Sequence, residues 1–212
     1  IMLAIVIISM PCNSQSIQKA KYLKEDLDRY LLINTKYPDE AMISNIQGDV
    51  VYSFTVNKIG RLENLALMNY PKELLLNSSR TSMSSLSGEW KPALINDNPV
   101  DKKYQIVFRF RIYFDTKPYD YKGQSKKLVE KQKNEKALKA LDDGIEDNNY
   151  DYELYYLRSK VKTLLGDSEG SKKDEDISNN LKDEIMTIVD VTPMLVRRTV
   201  PLGVTKVVVS QQ

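Results

Sequence analysis

Tyr104-Gln105-Ile106-Val107-Phe108-Arg109-Phe110-Arg111-Ile112-Tyr113-Phe114 carries the clearest pattern in this chain. Ile106, Phe108, Phe110 and Ile112 alternate with Gln105, Val107, Arg109 and Arg111, and a period of two marks a strand with one apolar face. A long, half-buried strand is expected there. Working backwards, Val50, Tyr52, Phe54 and Val56 alternate with Asp49, Val51, Ser53 and Thr55 in the same way. Asn57-Lys58-Ile59-Gly60 follows, with a glycine suited to positive φ, and Leu62, Asn64 and Ala66 resume the alternation, so the pair reads as a hairpin closed by Pro71. Between hairpin and long strand, Leu76, Ser79, Met83, Leu86 and Trp90 recur every three or four residues and predict a helix crossing the sheet. The polar turn Asn96-Asp97-Asn98-Pro99 leads into the final strand. Trp90 is expected in the core, because a tryptophan beside a helix buries a large apolar area.

Ahead of the hairpin, Ala20, Leu23, Leu27 and Leu31 predict a leading amphipathic helix within residues 17–36. Tyr37-Pro38-Asp39-Glu40-Ala41 opens a second, shorter helix, with proline in the first turn and acidic residues suited to the dipole. Gly48 ends it.

The order helix, hairpin, helix, strand comes with three short signatures: Tyr37-Pro38-Asp39-Glu40-Ala41 in front, Gln47-Gly48-Asp49-Val50 opening the first strand, and Trp90-Lys91-Pro92-Ala93 before the last. Together these resemble the carboxy-terminal domain of TonB, over about residues 37–114, within a domain bounded at 37–115. The resemblance implies an α+β fold, a small three-stranded antiparallel sheet with packed helices, followed here by an α-helical repeat segment. It also implies that the edge of the last strand accepts an extended peptide from an outer-membrane receptor. Gln105, Val107, Arg109 and Arg111 are the residues expected along that peptide-binding edge, where unpaired backbone groups give affinity with little sequence dependence. Arg109 and Arg111 would lie on the face away from the core, orienting a ligand or acting as solvated edge charges. A proline at Val107 is expected to block pairing there.

After a linker at 116–126, residues 127–183 become helical and highly charged. Ala137, Leu141 and Gly144 have counterparts at Ser171, Glu175 and Ser178, an offset of 34 residues, which resembles a degenerate tetratricopeptide repeat. Ser159, Ser171 and Ser178 would allow helices to approach closely. Such repeats stabilise one another by stacking, so a unit this short must lean on the other domain or the tail. Tyr152, Tyr155 and Tyr156 could line a repeat groove, although packing in the first helix is the plainer reading. Asp174-Glu175-Asp176 lacks the glycine and ligand spacing of a calcium loop and reads as a solvated face. The tail, 184–212, is β-branched and broken by Pro193 and Pro201, which suggests one or two strands of unknown partner.

Composition narrows function. The chain has 212 residues, 42% hydrophobic and 28% charged, which suits globular folding. Its net charge of +2 gives no reason to expect nucleic acid or an anionic membrane. With no histidine, the usual general base, the commonest zinc ligand and the partner of a Ser-His or Cys-His nucleophile are all missing. No acidic pair stands in an apolar setting that would raise a pKa, so neither catalysis, nor a cofactor, nor a metal site is expected. Cys12 is the single cysteine, which excludes an intramolecular disulfide.

Ile1 to Met10 is almost wholly apolar and polar residues follow, the length of a signal-peptide core and short of the ~20 residues of a spanning helix. Residues 1–16 are taken as a signal peptide cleaved after Ser16. A lipoprotein acylated at Cys12 and a buried amino-terminal strand are the rival readings. The expectation is a non-catalytic protein of the periplasm or cell envelope of a Gram-negative bacterium, binding an extended peptide by strand addition in outer-membrane transport. Its partner would be a protein or peptide, an outer-membrane receptor among the candidates, with homodimerisation through the edge strand also open. The alternative is a TonB-type energy transducer whose anchor precedes Ile1. Against it, residues 17–36 are too short and too poor in proline to span a periplasm.

Overall fold

A computed structural model describes residues 16–86, 90–114, 118–199 and 205–210, with Phe114, 194–199 and 205–210 described by backbone alone. The signal peptide expected at 1–16, apart from Ser16, and the acylation considered at Cys12 lie outside the described residues. Among the described residues no helix is long and apolar enough to cross a membrane.

The chain opens with two short strands, β1 (Ile17–Gln18) and β2 (Lys21–Tyr22), and reaches its first helix only at α1 (Leu27–Asn34). The long leading helix is thus a correction: residues 17–22 carry two short strands, and helix begins only at Leu27. Its backbone is claimed elsewhere, since β1 pairs with Leu94 and Ile95, β2 pairs with Trp90 and Lys91, and the Ala20 N–H donates to Tyr104 Oη at 2.9 Å. Tertiary pairing overrides a helical periodicity this short. Asp26 fixes where α1 starts, its carboxylate accepting from the Arg29 N–H at 2.9 Å.

Next come α2 (Asp39–Ile43), β3 (Gly48–Val56), β4 (Leu62–Asn69) and α3 (Glu73–Ser84). The β3–β4 turn depends on Gly60, whose φ is +78° and where an added Cβ would meet the Trp90 carbonyl oxygen at 2.1 Å. Asn57 Oδ1 holds the same turn by accepting from the N–H groups of Ile59 and Arg61. In β4 the expected alternation through Leu62, Asn64 and Ala66 breaks. Asn64 adopts φ 53°, and the register against β3 shifts around it, so Leu62 and Leu67 face the same side while Ala66 faces the other. The chain continues through β5 (Trp90–Lys91), β6 (Ala93–Ile95), β7 (Asn98–Val100), β8 (Lys102–Phe110) and β9 (Tyr113–Phe114). Asn96 and Asp97, both at positive φ, form the tight turn between β6 and β7.

One face of β3 and β8 carries Val50, Tyr52, Phe54, Val56, Tyr104, Ile106, Phe108 and Phe110, all buried in the main core with Leu31, Leu75, Leu76, Met83 and Trp90. The serines of α3 are part of the same packing. Ser79 bonds Tyr52 Oη at 3.1 Å, and Ser82 bonds both Thr35 and the Asn34 carbonyl.

Four helices follow: α4 (Tyr121–Glu130), α5 (Asn134–Asp147), α6 (Tyr152–Leu164) and α7 (Ser168–Glu184). They form two helical hairpins around Ala137, Leu141, Leu154 and Val161. Gly144 lets three helices meet, since a Cβ there would come within 2.9 Å of Tyr121 and 3.1 Å of Leu154. Ser178 Oγ donates to the Tyr152 carbonyl at 2.9 Å, tying α7 to the start of α6. Asp174, expected on a solvated face, is instead buried against Arg158 at 2.7 Å and Lys162 at 2.9 Å.

The last strands are β10 (Ile185–Val191), β11 (Met194–Thr199) and β12 (Thr205–Ser210). Strand β10 completes a four-stranded sheet of order β10-β8-β3-β4, in which β8 runs antiparallel to β3 and parallel to β10. The expected three-stranded antiparallel sheet is present as β8, β3 and β4, and β10 adds a fourth, parallel strand beside β8. Strand β11 pairs with β12 and with β9. The overall class, an α+β unit followed by helices, stands as expected.

Candidate peptide-binding rim

Strand β8 was expected to be the free, half-buried edge. It is neither free nor half-buried. Strand β10 lies along it in parallel, with Ile185 opposite Gln105, Thr187 opposite Ile106, Ile188 opposite Val107, Val189 opposite Phe108, Asp190 opposite Arg109 and Val191 opposite Phe110. The second face of the sheet is covered as well: Val107, fully buried, packs with Val51 and Ile185 under Leu181 of α7 and Tyr150 of the α5–α6 turn. The helical segment thus finds its support on the sheet.

The expected edge residues have other partners. Gln105 reaches Glu184 at 3.4 Å. Arg109 is only 5% exposed; its Nη1 donates to Asp190 Oδ1 at 2.7 Å, and its Nη2 donates to the Asp147 carbonyl and carboxylate, each at 2.9 Å. Arg111 donates to Asp49 Oδ1 at 2.7 Å and to the Asp147 carbonyl at 3.2 Å, and its N–H bonds the Val191 carbonyl. Burial alone would lower the Arg111 pKa, but the hydrogen bond and charge of Asp49, with the charge of Asp147, outweigh it and raise the value. The two arginines therefore form neither a solvated fringe nor a free ligand-orienting pair. They join β3, β8, β10 and the end of α5 through three carboxylates.

Asp147 and Asp190 escaped the sequence reading. A signal existed for Asp147: an acidic residue in the last turn of a helix opposes the dipole, and α5 ends without a basic residue there, so a cation from elsewhere was called for. Asp190 gave no such sign, since a lone acid in a β-branched run reads as an outward side chain.

The three tyrosines do not converge on a groove. Tyr152 lies under Lys182 at 5.9 Å, Tyr155 under Arg158 at 5.4 Å and Tyr156 under Lys160 at 4.9 Å, each covered by a separate cation. Nor are they in the buried cluster of the helices; Tyr156 is exposed. Consecutive helix positions diverge by ~100°, which keeps Tyr155 and Tyr156 apart.

The sheet's open side is β4, with Leu65, Leu67, Met68 and Tyr70 exposed nearby. Two register irregularities interrupt its pairing with β3, and bulges of this kind twist an edge away from straightforward strand addition. Among the described residues, no group of three or more histidine, cysteine or acidic side chains could hold a metal.

Residues 33–112 match the family described as Gram-negative bacterial TonB protein C-terminal. The solution NMR structure of the Pseudomonas aeruginosa TonB CTD is 19% identical, with a TM-score of 0.32, covering 50% of this chain and 95% of that one. No curated protein matches the chain, and no tetratricopeptide family matches its helices. The match ends just beyond β8, so the similarity to the TonB C-terminal domain is confined to residues 33–112, and the four helices and β10 follow it.

Proposed function

We propose that this chain is a non-catalytic interaction module of the periplasm or cell envelope, binding an extended segment of a partner protein as a strand along β8, in the context of outer-membrane transport. An outer-membrane receptor is the partner class that fits the family. The observation that carries the reading is the β8–β10 ladder. The rim of β8 accepts an extended strand in parallel, and the strand found on it comes from outside the family-matched region. A partner strand would take the place of β10, because a parallel strand bonded along β8 leaves no second ladder on that side.

The test is site-specific photocrosslinking in envelope preparations, with the reactive group at Gln105 on the rim or at Glu63 on β4. Adducts to an outer-membrane protein from position 105 and not from position 63 are expected. Adducts from β4 alone, or from neither site, would overturn strand addition at this rim. A proline at Val107 does not serve, because Val107 lies between β3 and β10 and both ladders would suffer.

A further inference from the structure

Beyond the family-matched region, a cleft of about 570 Å³ is lined by Tyr119, Tyr121, Ala140, Asp143, Glu146 and Asp147. That volume lies within the range of small-molecule sites. Local sequence builds its aromatic wall. Asp120, between the two tyrosines, caps α4 by accepting from the Gly123 N–H at 2.8 Å, so Tyr119 stays outside the helix and Tyr121 starts it. Gly144 seats Tyr121 against α5, since a Cβ there would come within 2.9 Å of the Tyr121 Cβ. The two rings meet at 61° with centroids 4.7 Å apart, and Tyr119 remains 58% exposed.

The rest of the lining is acidic where a helix least favours it. Asp143, Glu146 and Asp147 stand at the C-terminal end of α5, which has no basic residue in its last turn, so they oppose the dipole and repel one another at three- and four-residue spacing. Asp147 is bonded to Arg109 and Arg111, but Arg109 also serves Asp190 and Arg111 also serves Asp49, so negative charge stays in excess. Asp143 and Glu146 are exposed, and neither has an ion-pair partner among the described residues. Tyr121 registers this field: burial raises its pKa, and Asp147, Asp143 and Glu146 raise it further. The same carboxylates do not make a metal centre, since among the described residues no group of three or more could hold a metal. A cation suited to the cleft therefore carries its charge on a carbon skeleton, laying methyl or methylene groups on the rings while the charge faces the acids.

We propose that this cleft is a binding site for an organic ammonium ion, with Tyr119 and Tyr121 holding its carbon-clad surface and Asp143 and Glu146 supplying the opposite charge. Asp147, committed to the two arginines, positions the end of α5 and so the acidic wall. A free small ammonium compound and the lysine side chain of another protein present the same chemistry. The site lies apart from the backbone rim of β8, so it stands or falls independently of strand addition.

The probes are choline, its uncharged analogue with carbon in place of nitrogen, and Nα-acetyl-lysine N-methylamide, each titrated into the full chain at low salt by ligand-observed NMR. Choline is expected to bind about tenfold tighter than the uncharged analogue, with its methyl resonance moved upfield by the tyrosine rings. Tyr119→Leu should weaken choline about three- to fivefold and reduce that shift, whereas Tyr119→Phe should leave both unchanged. Asp143→Asn with Glu146→Gln, both at exposed positions, should bring choline close to the uncharged analogue. Tighter binding of the lysine compound than of choline would support the site with a protein side chain as its ligand, and the reverse order would support it with a free small molecule. Equal binding of choline and its analogue, displacement of choline by potassium at matched ionic strength, or full binding in Tyr119→Leu would overturn the proposal. Lys117 lies two residues before Tyr119 in the sequence, so Lys117→Ala is titrated beside the unsubstituted chain. Binding that appears only in that variant would make the chain's own lysine the occupant and overturn an external ligand. No binding to either chain would overturn the site itself.

Discussion

Replacing Val189 by alanine tests whether β10 can leave the sheet by itself. Val189 is 3% exposed and packs in the main core opposite Phe108. The substitution deletes methyl groups worth about 0.8 kcal/mol each, and incomplete collapse of the space brings the loss to about 2 kcal/mol. That corresponds to roughly 30-fold faster exchange of amides protected by β10 pairing. Native-state hydrogen exchange at several low denaturant concentrations is the assay, comparing peptides from 185–191 with peptides from 48–56. In the unsubstituted chain, β10 amides are expected to exchange through an opening of lower free energy and shallower denaturant dependence than those of β3. Val189→Ala should lower that opening by about 2 kcal/mol. If β10 and β3 share one free energy and one denaturant slope, the strand leaves only when the whole sheet unfolds, and its replacement by a partner is refuted.

Asp174→Asn should destabilise the helical segment by about 2–3 kcal/mol in urea unfolding, less than a fully buried pair because Arg158 and Lys162 are both part-exposed. Burial alone would raise the Asp174 pKa, but the bonds and charges of Arg158 and Lys162 outweigh it, so the folded value lies below the ordinary carboxylate range. Its stabilisation is present above the unfolded pKa and lost as pH falls through the depressed one; helical ellipticity against pH should show this acid limb flattened in Asp174→Asn. Gly60→Ala should cost about 1–3 kcal/mol, read as a lower Tm, since the left-handed backbone and the Trp90 carbonyl both resist a Cβ. Burial pushes Tyr37 up to about 12 from 10.0, against the pull of Arg111. Its stabilisation is complete below 10.0 and lost as pH rises through about 12. Phenolate absorbance should lose a late-titrating component in Tyr37→Phe.

The apolar halves of β3 and β8 were readable because alternation is a local property, and every residue assigned to those inner faces is buried. Trp90 lies in that core as its size implied. The turn at Gly60 was readable too, since only a residue without Cβ tolerates that φ beside a backbone carbonyl. Residues 17–22 misled because a helical spacing of few residues is weak against strand pairing with Trp90–Lys91 and Leu94–Ile95. In β4, one residue at positive φ inverted the alternation after Asn64, and nothing in asparagine dictates that it must.

The candidate site divides along the same line. Arg109 and Arg111 were identified as chemically notable, but their partners Asp147 and Asp190 lie 38 and 81 residues from Arg109. The run Thr187 to Val191 read as strand because β-branched residues suit a pleated surface, and that preference says nothing about which neighbour the strand will have.

The sequence by itself therefore determined the inward faces of β3 and β8, the turn glycine and the resemblance of about residues 37–114 to the TonB carboxy-terminal domain. Only the tertiary structure decided that the rim of β8 is occupied, in what direction and by which residues. The physical reason is that backbone hydrogen bonding between strands is nearly blind to side chains. The choice of neighbour is made by packing on both faces at once: the valines of β10 against the main core, Ile185 and Ile188 beneath α7, and a carboxylate against a buried guanidinium.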